Sequence, residues 1–140
     1  MGLIGSAVCL KLLNAKHEVI SLDNSTAYFD LVQDNATLYQ RYLFDRLKPL
    51  RGQVHFERAD TRHKDEIRRV ISQYQPTHII HLAAMPLANI SQKHSEEAFG
   101  TIVNGTTNLL EVIRDHSTCE RFVYASSSMP HNRTWTVGNL

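Results

Sequence analysis

Met1-Gly2-Leu3-Ile4-Gly5-Ser6 opens the chain, and an apolar run with helical spacing follows it directly. Two glycines three apart ahead of a helix read as the latter part of a glycine-rich turn that cradles a dinucleotide pyrophosphate. Backbone amides can close on a phosphate only where no Cβ intervenes, which is why such cradles are built from glycine. Gly2 and Gly5 suit the second and third glycines of the turn, the third letting the following helix lie close to a sheet. The strand and first glycine that come before such a turn are not in the chain. The sheet is therefore expected to lack its first strand.

Working outward, Ala7, Val8, Cys9, Leu12 and Leu13 recur at helical spacing, which predicts a helix over 6–15. Residues 18–22 read as a short buried strand ending at Asp23. A polar stretch follows, then a helix over 36–47 halted near Pro49. A second strand at 54–57 is closed by Ala59 and Asp60. The segment 64–74 is amphipathic, with Ile67, Val70 and Ile71 on its apolar stripe. Pro76 leads into a third strand at 77–82. A long helix over 95–115 is expected to bury Ile102, Thr106, Leu109, Leu110 and Ile113, and a fourth strand at 121–125 runs into Ser126-Ser127-Ser128. Strands alternating with helices of about ten or more residues imply parallel pairing. The fold class is α/β: an incomplete doubly wound parallel Rossmann-like sheet over 1–128, followed by an unassigned tail at 129–140.

Bulk properties narrow the function classes. A chain of 140 residues suits one domain with a real core. A net charge of +1 offers no electrostatic argument for nucleic acid or an anionic membrane. No run approaches the roughly eighteen apolar residues of a membrane span, and residues 3–13 lack the basic flank of a signal peptide. Cytoplasmic location is the expectation. Cys9 and Cys119 are read as reduced packing residues. The five sequons, at Asn24, Asn35, Asn89, Asn104 and Asn132, are read as chance, as is the match of the first six residues to a myristoylation pattern. Of the eight histidines, His78 and His81 stand three apart in one strand and point to opposite faces, so they cannot share a metal ion.

A few residues could carry chemistry. Asp23, eighteen residues after Gly5, ends the strand that follows the glycine turn. A carboxylate there can accept hydrogen bonds from both ribose hydroxyls of an adenosine and would repel a 2′-phosphate, favouring NAD over NADP. It could equally cap a turn with Asn24. Asp60 ends the next strand, where it could accept from an adenine amine or cap the helix after Thr61. Leu82-Ala83-Ala84 ends the third strand with small side chains that would let a cofactor approach. Ser126-Ser127-Ser128 falls just past the fourth strand, where ligands gather in open α/β sheets; it also reads as an ordinary serine-rich turn.

Taken together, these segments resemble the extended short-chain dehydrogenase/reductase family, in particular its NAD-dependent nucleotide-sugar epimerases and dehydratases. The resemblance is carried, in order, by Gly2–Ser6, His17–Asn24, Ala59-Asp60, Pro76–Ala84, Asn104–Glu111 and Arg121–Ser128. It implies that Gly2, Leu3, Ile4 and Gly5 line the NAD pyrophosphate, Asp23 and Asn24 hold the adenosine ribose, and Asp60 and Thr61 meet the adenine. Leu82, Ala83 and Ala84 would line the cofactor cleft. Ser128 would assist a catalytic tyrosine of a Tyr-x-x-x-Lys pair, in which the lysine lowers the tyrosine pKa. The substrate implied is a nucleotide sugar, and a homodimer is left open. No Tyr-x-x-x-Lys occurs in the chain, and the substrate-binding half that follows Ser128 in that family is missing. Ile102 also stands where the family often has an asparagine. The expectation is a divergent or partial member, inactive alone, or a non-catalytic nucleotide-binding or interaction remnant of the family.

Overall fold

The computed structural model describes residues 1–26, 36–85, 88–116 and 118–126. Its elements run α1 (Leu3–Asn14), β1 (Val19–Asp23), α2 (Ala36–Leu47), a 3-10 turn (Lys48–Leu50), β2 (Val54–Arg58), α3 (Lys64–Tyr74) and β3 (His78–His81). They continue with α4 (Ala88–Lys93), α5 (Ser95–Phe99), a π-helical turn (Gly100–Asn104), α6 (Gly105–Asp115) and β4 (Arg121–Tyr124). All four expected strands are present, within about a residue of their expected bounds.

The strands form two parallel pairs. β1 pairs with β2 in the register Val19↔Val54 to Asp23↔Arg58, and β3 pairs with β4 from His78↔Arg121 to His81↔Tyr124. Among the described residues β1 and β3 share no ladder, as expected of a sheet without the strand between them. Each pair has its own core. Cys9, Val19, Leu50 and Val54 make the first, with Met1, Leu12, Leu13 and Leu47 packed on it. Ile67, Ile71, Leu109 and Val112 make the second, flanked by Ile79, Ile113 and Phe122.

Local chemistry sets the helix limits. α1 begins at Leu3, three residues earlier than its pattern predicts, because the Ser6 amide already bonds the Gly2 carbonyl at 3.1 Å. It ends with Lys16 in the left-handed region at φ 67°, a place glycine usually takes. The His17 amide closes back on the Leu12 carbonyl. α3 carries Asp65 and Glu66 in its first turn, where the helix dipole favours negative charge, and buries Ile67, Val70 and Ile71 as expected. It stops at Gln75, φ 45°, ahead of Pro76.

The long helix departs from its expected face. Its buried residues are Ala98, Thr101, Gly105, Leu109 and Val112, while Leu110 is 46% exposed. The helix is rotated by about one residue from the most apolar stripe. The cause is a close approach: a Cβ on Gly105 would lie 2.6 Å from Thr61 Oγ1 and 3.1 Å from Thr61 Cβ. Small residues therefore face the 60–62 loop, and bulkier ones turn outward.

Candidate cofactor site

The N-terminus of α1, the end of β1 and the end of β2 meet in one region. Gly2 is the N-cap of α1, extended at φ −73° and ψ 172°, with no side chain bonding the first amides. A Cβ placed on Gly2 would touch nothing within 4 Å, and Leu3 and Ile4 are 71% and 69% exposed. The first turn of a helix has amides without intrahelical acceptors and a partial positive charge, which suits an anion. Gly5 does not act as expected. Its missing Cβ faces the Met1 side chain, 3.4 Å away, and not a close sheet. That methionine packs into the first core, where Cys9 Sγ and Ser21 Oγ donate to its sulfur.

Asp23 closes β1. Its Oδ1 accepts the Ser25 amide at 2.8 Å, and its Oδ2 lies 3.1 Å from the Met1 amino group. Asn24 makes a second such turn through Oδ1 to the Thr26 amide, and donates from Nδ2 to Asp60 Oδ2 at 3.1 Å. The turn-capping reading of Asp23 and Asn24 is thus realised. It coexists with a position beside the α1 N-terminus.

Asp60 is the most heavily bonded carboxylate here. Arg62 donates to it from Nε, Nη2 and its backbone amide. Those side-chain bonds hold the Asp60 pKa far below the usual carboxylate range; burial opposes them, and the Arg62 amide and Asn24 add to the lowering. Asp60 does not cap α3, whose N-cap is His63. An adenine amine would have to share oxygens that Arg62 and Asn24 already use. Arg62 also reaches Glu97 at 3.5 Å, tying the loop to α5.

Thr61 is buried beneath α6. Asn108 Nδ2 donates to the carbonyls of both Thr61 and Arg62, each at 3.1 Å. The sequence assigns no role to Asn108 or Gly105. A glycine inside a helix is a legible hint, since it costs about 1 kcal/mol relative to alanine and so marks a close approach. Asn108 offered no such signal. Beyond β3, Leu82 is half-buried and Ala83 and Ala84 are exposed. Ser126 is exposed, whereas Ser128, the expected catalytic serine, lies outside the described residues, as does the 129–140 tail.

His81, at the end of β3, is buried. Its Nε2 pairs with Thr106 Oγ1 at 3.0 Å, and because that hydroxyl donates to the Ile102 carbonyl, Nε2 carries the proton. Burial lowers its pKa. Among the described residues no group of three His, Cys, Asp or Glu side chains is placed to hold a metal, and no helix is long and apolar enough to cross a membrane.

These groups suit a dinucleotide. An uncapped helix N-terminus for the phosphates stands beside an aspartate for hydroxyls, and no side chain obstructs Gly2. Comparison with known proteins agrees. The profile described as the NAD dependent epimerase/dehydratase family matches residues 1–131. UDP-glucose 4-epimerase of Drosophila melanogaster is 30% identical over 129 residues, 91% of this chain and 35% of that protein. A probable dTDP-glucose 4,6-dehydratase of Sinorhizobium fredii is 31% identical over 117 residues, covering 82% of this chain and 30% of the relative. Among solved structures, UDP-glucose 4-epimerase of Thermus thermophilus in complex with NAD superposes with a TM-score of 0.62 at 29% identity, over 84% of this chain and 32% of that one. UDP-glucose 4-epimerase of Thermotoga maritima with UDP-glucose gives 0.72 at 23% identity, over 90% and 35%, and speaks to the Rossmann-type fold alone. The chain thus spans about a third of the length of each of these relatives. With the family profile covering nearly all of it, the chain belongs to the NAD dependent epimerase/dehydratase family.

Proposed function

We propose that this polypeptide is the NAD-binding part of an enzyme acting on nucleotide sugars, and that alone it binds the cofactor without turning substrate over. The observation carrying this reading is the meeting of the uncapped α1 N-terminus with Asp23. The amides that follow Gly2 take the pyrophosphate, Asp23 and Asn24 the ribose, and the Asp60–Thr61 turn the adenine. Leu82, Ala83 and Ala84 border the cleft. When bound, NAD supplies the hydride acceptor. Ser128 polarises a sugar hydroxyl, but a serine is far too weakly acidic to act as the base near neutral pH, and no Tyr-x-x-x-Lys is present to do so. General acid–base assistance typically contributes about 10²–10⁴-fold. A cytoplasmic location belongs to the same proposal, as does self-association through the exposed apolar residues Phe99, Val103 and Leu110.

The second reading, a non-catalytic remnant, is favoured by the missing tyrosine–lysine pair. Calorimetric titration with NAD is the test, with Asp23→Ala expected to weaken binding by about 1.5–3 kcal/mol, the worth of a charge-assisted hydrogen bond. Unchanged affinity would remove Asp23 as the ribose ligand. In parallel, the purified chain is incubated with NAD and UDP- and dTDP-sugars. New product that disappears in Ser128→Ala would overturn the inactive reading.

A further inference from the structure

β2 has a partner on one side only. β1 pairs along it from Val54 to Arg58, and among the described residues nothing pairs along its other edge. Beside it, α2 and β2 enclose an open groove of about 480 Å³. Phe56 of β2 faces Leu43, Phe44 and Leu47 of α2 across it, and Phe44 and Phe56 stay 56% and 47% exposed. Where α2 ends and β2 begins, Lys48 and Arg51 line the same groove, and no carboxylate does. Among the described residues neither cation has an ion pair.

We propose that this groove docks an extended peptide segment of a partner protein, added as a strand along β2. Its alternate apolar side chains enter the groove, and acidic residues at one end meet Lys48 and Arg51. Three requirements converge on that occupant. The free edge of a strand presents backbone donors and acceptors that another strand satisfies. Strand periodicity sends every second side chain to one face, here toward the two phenylalanines. The cations select negative charge at the end of the segment, which disfavours basic partners. A docked helix would cover the apolar wall but leave the β2 edge unanswered.

The test uses the intact chain and a fluorescein-labelled short peptide that alternates valine with threonine and carries two aspartates at each end. A matched peptide has lysines at its ends, and two further versions are N-methylated on alternate amides, one for each phase of the strand. Anisotropy should show the aspartate peptide binding about tenfold tighter than the lysine peptide, the sum of two modest charge pairs. Lys48→Glu with Arg51→Glu should invert that order, and one phase of N-methylation should remove binding. Phe44→Ala, at a position 56% exposed, should weaken every peptide.

Equal binding of both charge types, full binding of both methylated versions, or no binding at all would overturn the proposal. So would saturation of the groove by laurate with no peptide able to displace it, which would make it a site for single-chain anionic amphiphiles. A dimer in sedimentation that dissociates in the charge-reversed variant, with no peptide bound, would assign the groove to a second copy of the chain.

Discussion

In the β1–β2 half the strands themselves enter the core: Val19 and Val54 are 5% and 7% exposed, with Cys9 of α1 and the turn residue Leu50 packed on them. In the β3–β4 half the apolar core residues belong to helices. Ile67 and Ile71 of α3 meet Leu109 and Val112 of α6, while Ile80 and Val123 on the strands remain 40% and 45% exposed. One half is a sheet with helices laid on it. The other is a helix pair with a sheet attached. A parallel pair with one face open contributes less apolar burial than the same strands covered on both faces, so the second half depends on contact between its helices. Polar links join the halves: Asn24 to Asp60, Asp60 to Arg62, Arg62 to Glu97, and Glu57 of β2 to Arg69 and Tyr74 of α3.

The sharpest way to break this division is to hollow each core in turn. Ile67→Ala and Leu50→Ala remove side chains with 0% exposure, and each should cost about 2–5 kcal/mol. Hydrogen exchange should then show Ile67→Ala loosening α3, α6 and β3 before β1 and β2, with Leu50→Ala doing the reverse. Uniform loss of protection in both variants would mean a single cooperative core. A smaller effect is expected from Gly105→Ala, which forces a methyl against Thr61 and should cost about 1–3 kcal/mol by overpacking, less what alanine gains as a better helix former. Thr61→Ala in the same chain should recover part of the lost thermal stability; no recovery would locate the strain elsewhere.

The smallest expected effects are those of pH, and they separate the halves. His81 has a pKa below its ordinary value of 6.5 because it is buried. In the window between those two values the unfolded chain binds a proton that the folded chain refuses. Stability therefore falls as pH drops below about 6.5, and the loss ends once the folded value is passed. Asp60 is also depressed, by Arg62, so its contribution is present above the ordinary carboxylate range and is lost progressively below about pH 4. Thermal melts should show the β3–β4 half weakening as pH falls below about 6.5, and the junction at Asp60 only in stronger acid. His81→Gln should flatten the first limb and leave the second. A first limb that persists in that variant would assign it to another group.

Periodicity was a reliable guide to α3. The span of α3 and its buried Ile67, Val70 and Ile71 could be read from spacing alone. The same reasoning misplaced the face of the long helix, because apolarity favours Leu110 while the observed contact requires the small Gly105 against Thr61. Among the site residues, the placement of Asp23 at a strand end next to the glycine segment was legible. The saturation of Asp60 by Arg62 was not, since a guanidinium two residues away can pair with a carboxylate or turn to solvent, and composition does not decide which. Asn108 was hidden for a related reason: its amide acts on carbonyls forty-six and forty-seven residues away in sequence.

By itself the sequence determined the alternation of strands and helices, the parallel sense that such alternation imposes, and the ordered motifs that place the chain in its family. These follow from local periodicity and from glycine and aspartate at strand ends, which need no knowledge of distant contacts. Only the tertiary structure decided that the apolar burial divides into two cores, that Met1 fills space beside α1 and that Gly105 sets the rotation of α6. It also decided that the Asp60 loop is held by Arg62 and Asn108. Each of these depends on which side chains meet across a long separation in sequence, and packing geometry selects among many partners that local preference leaves equal.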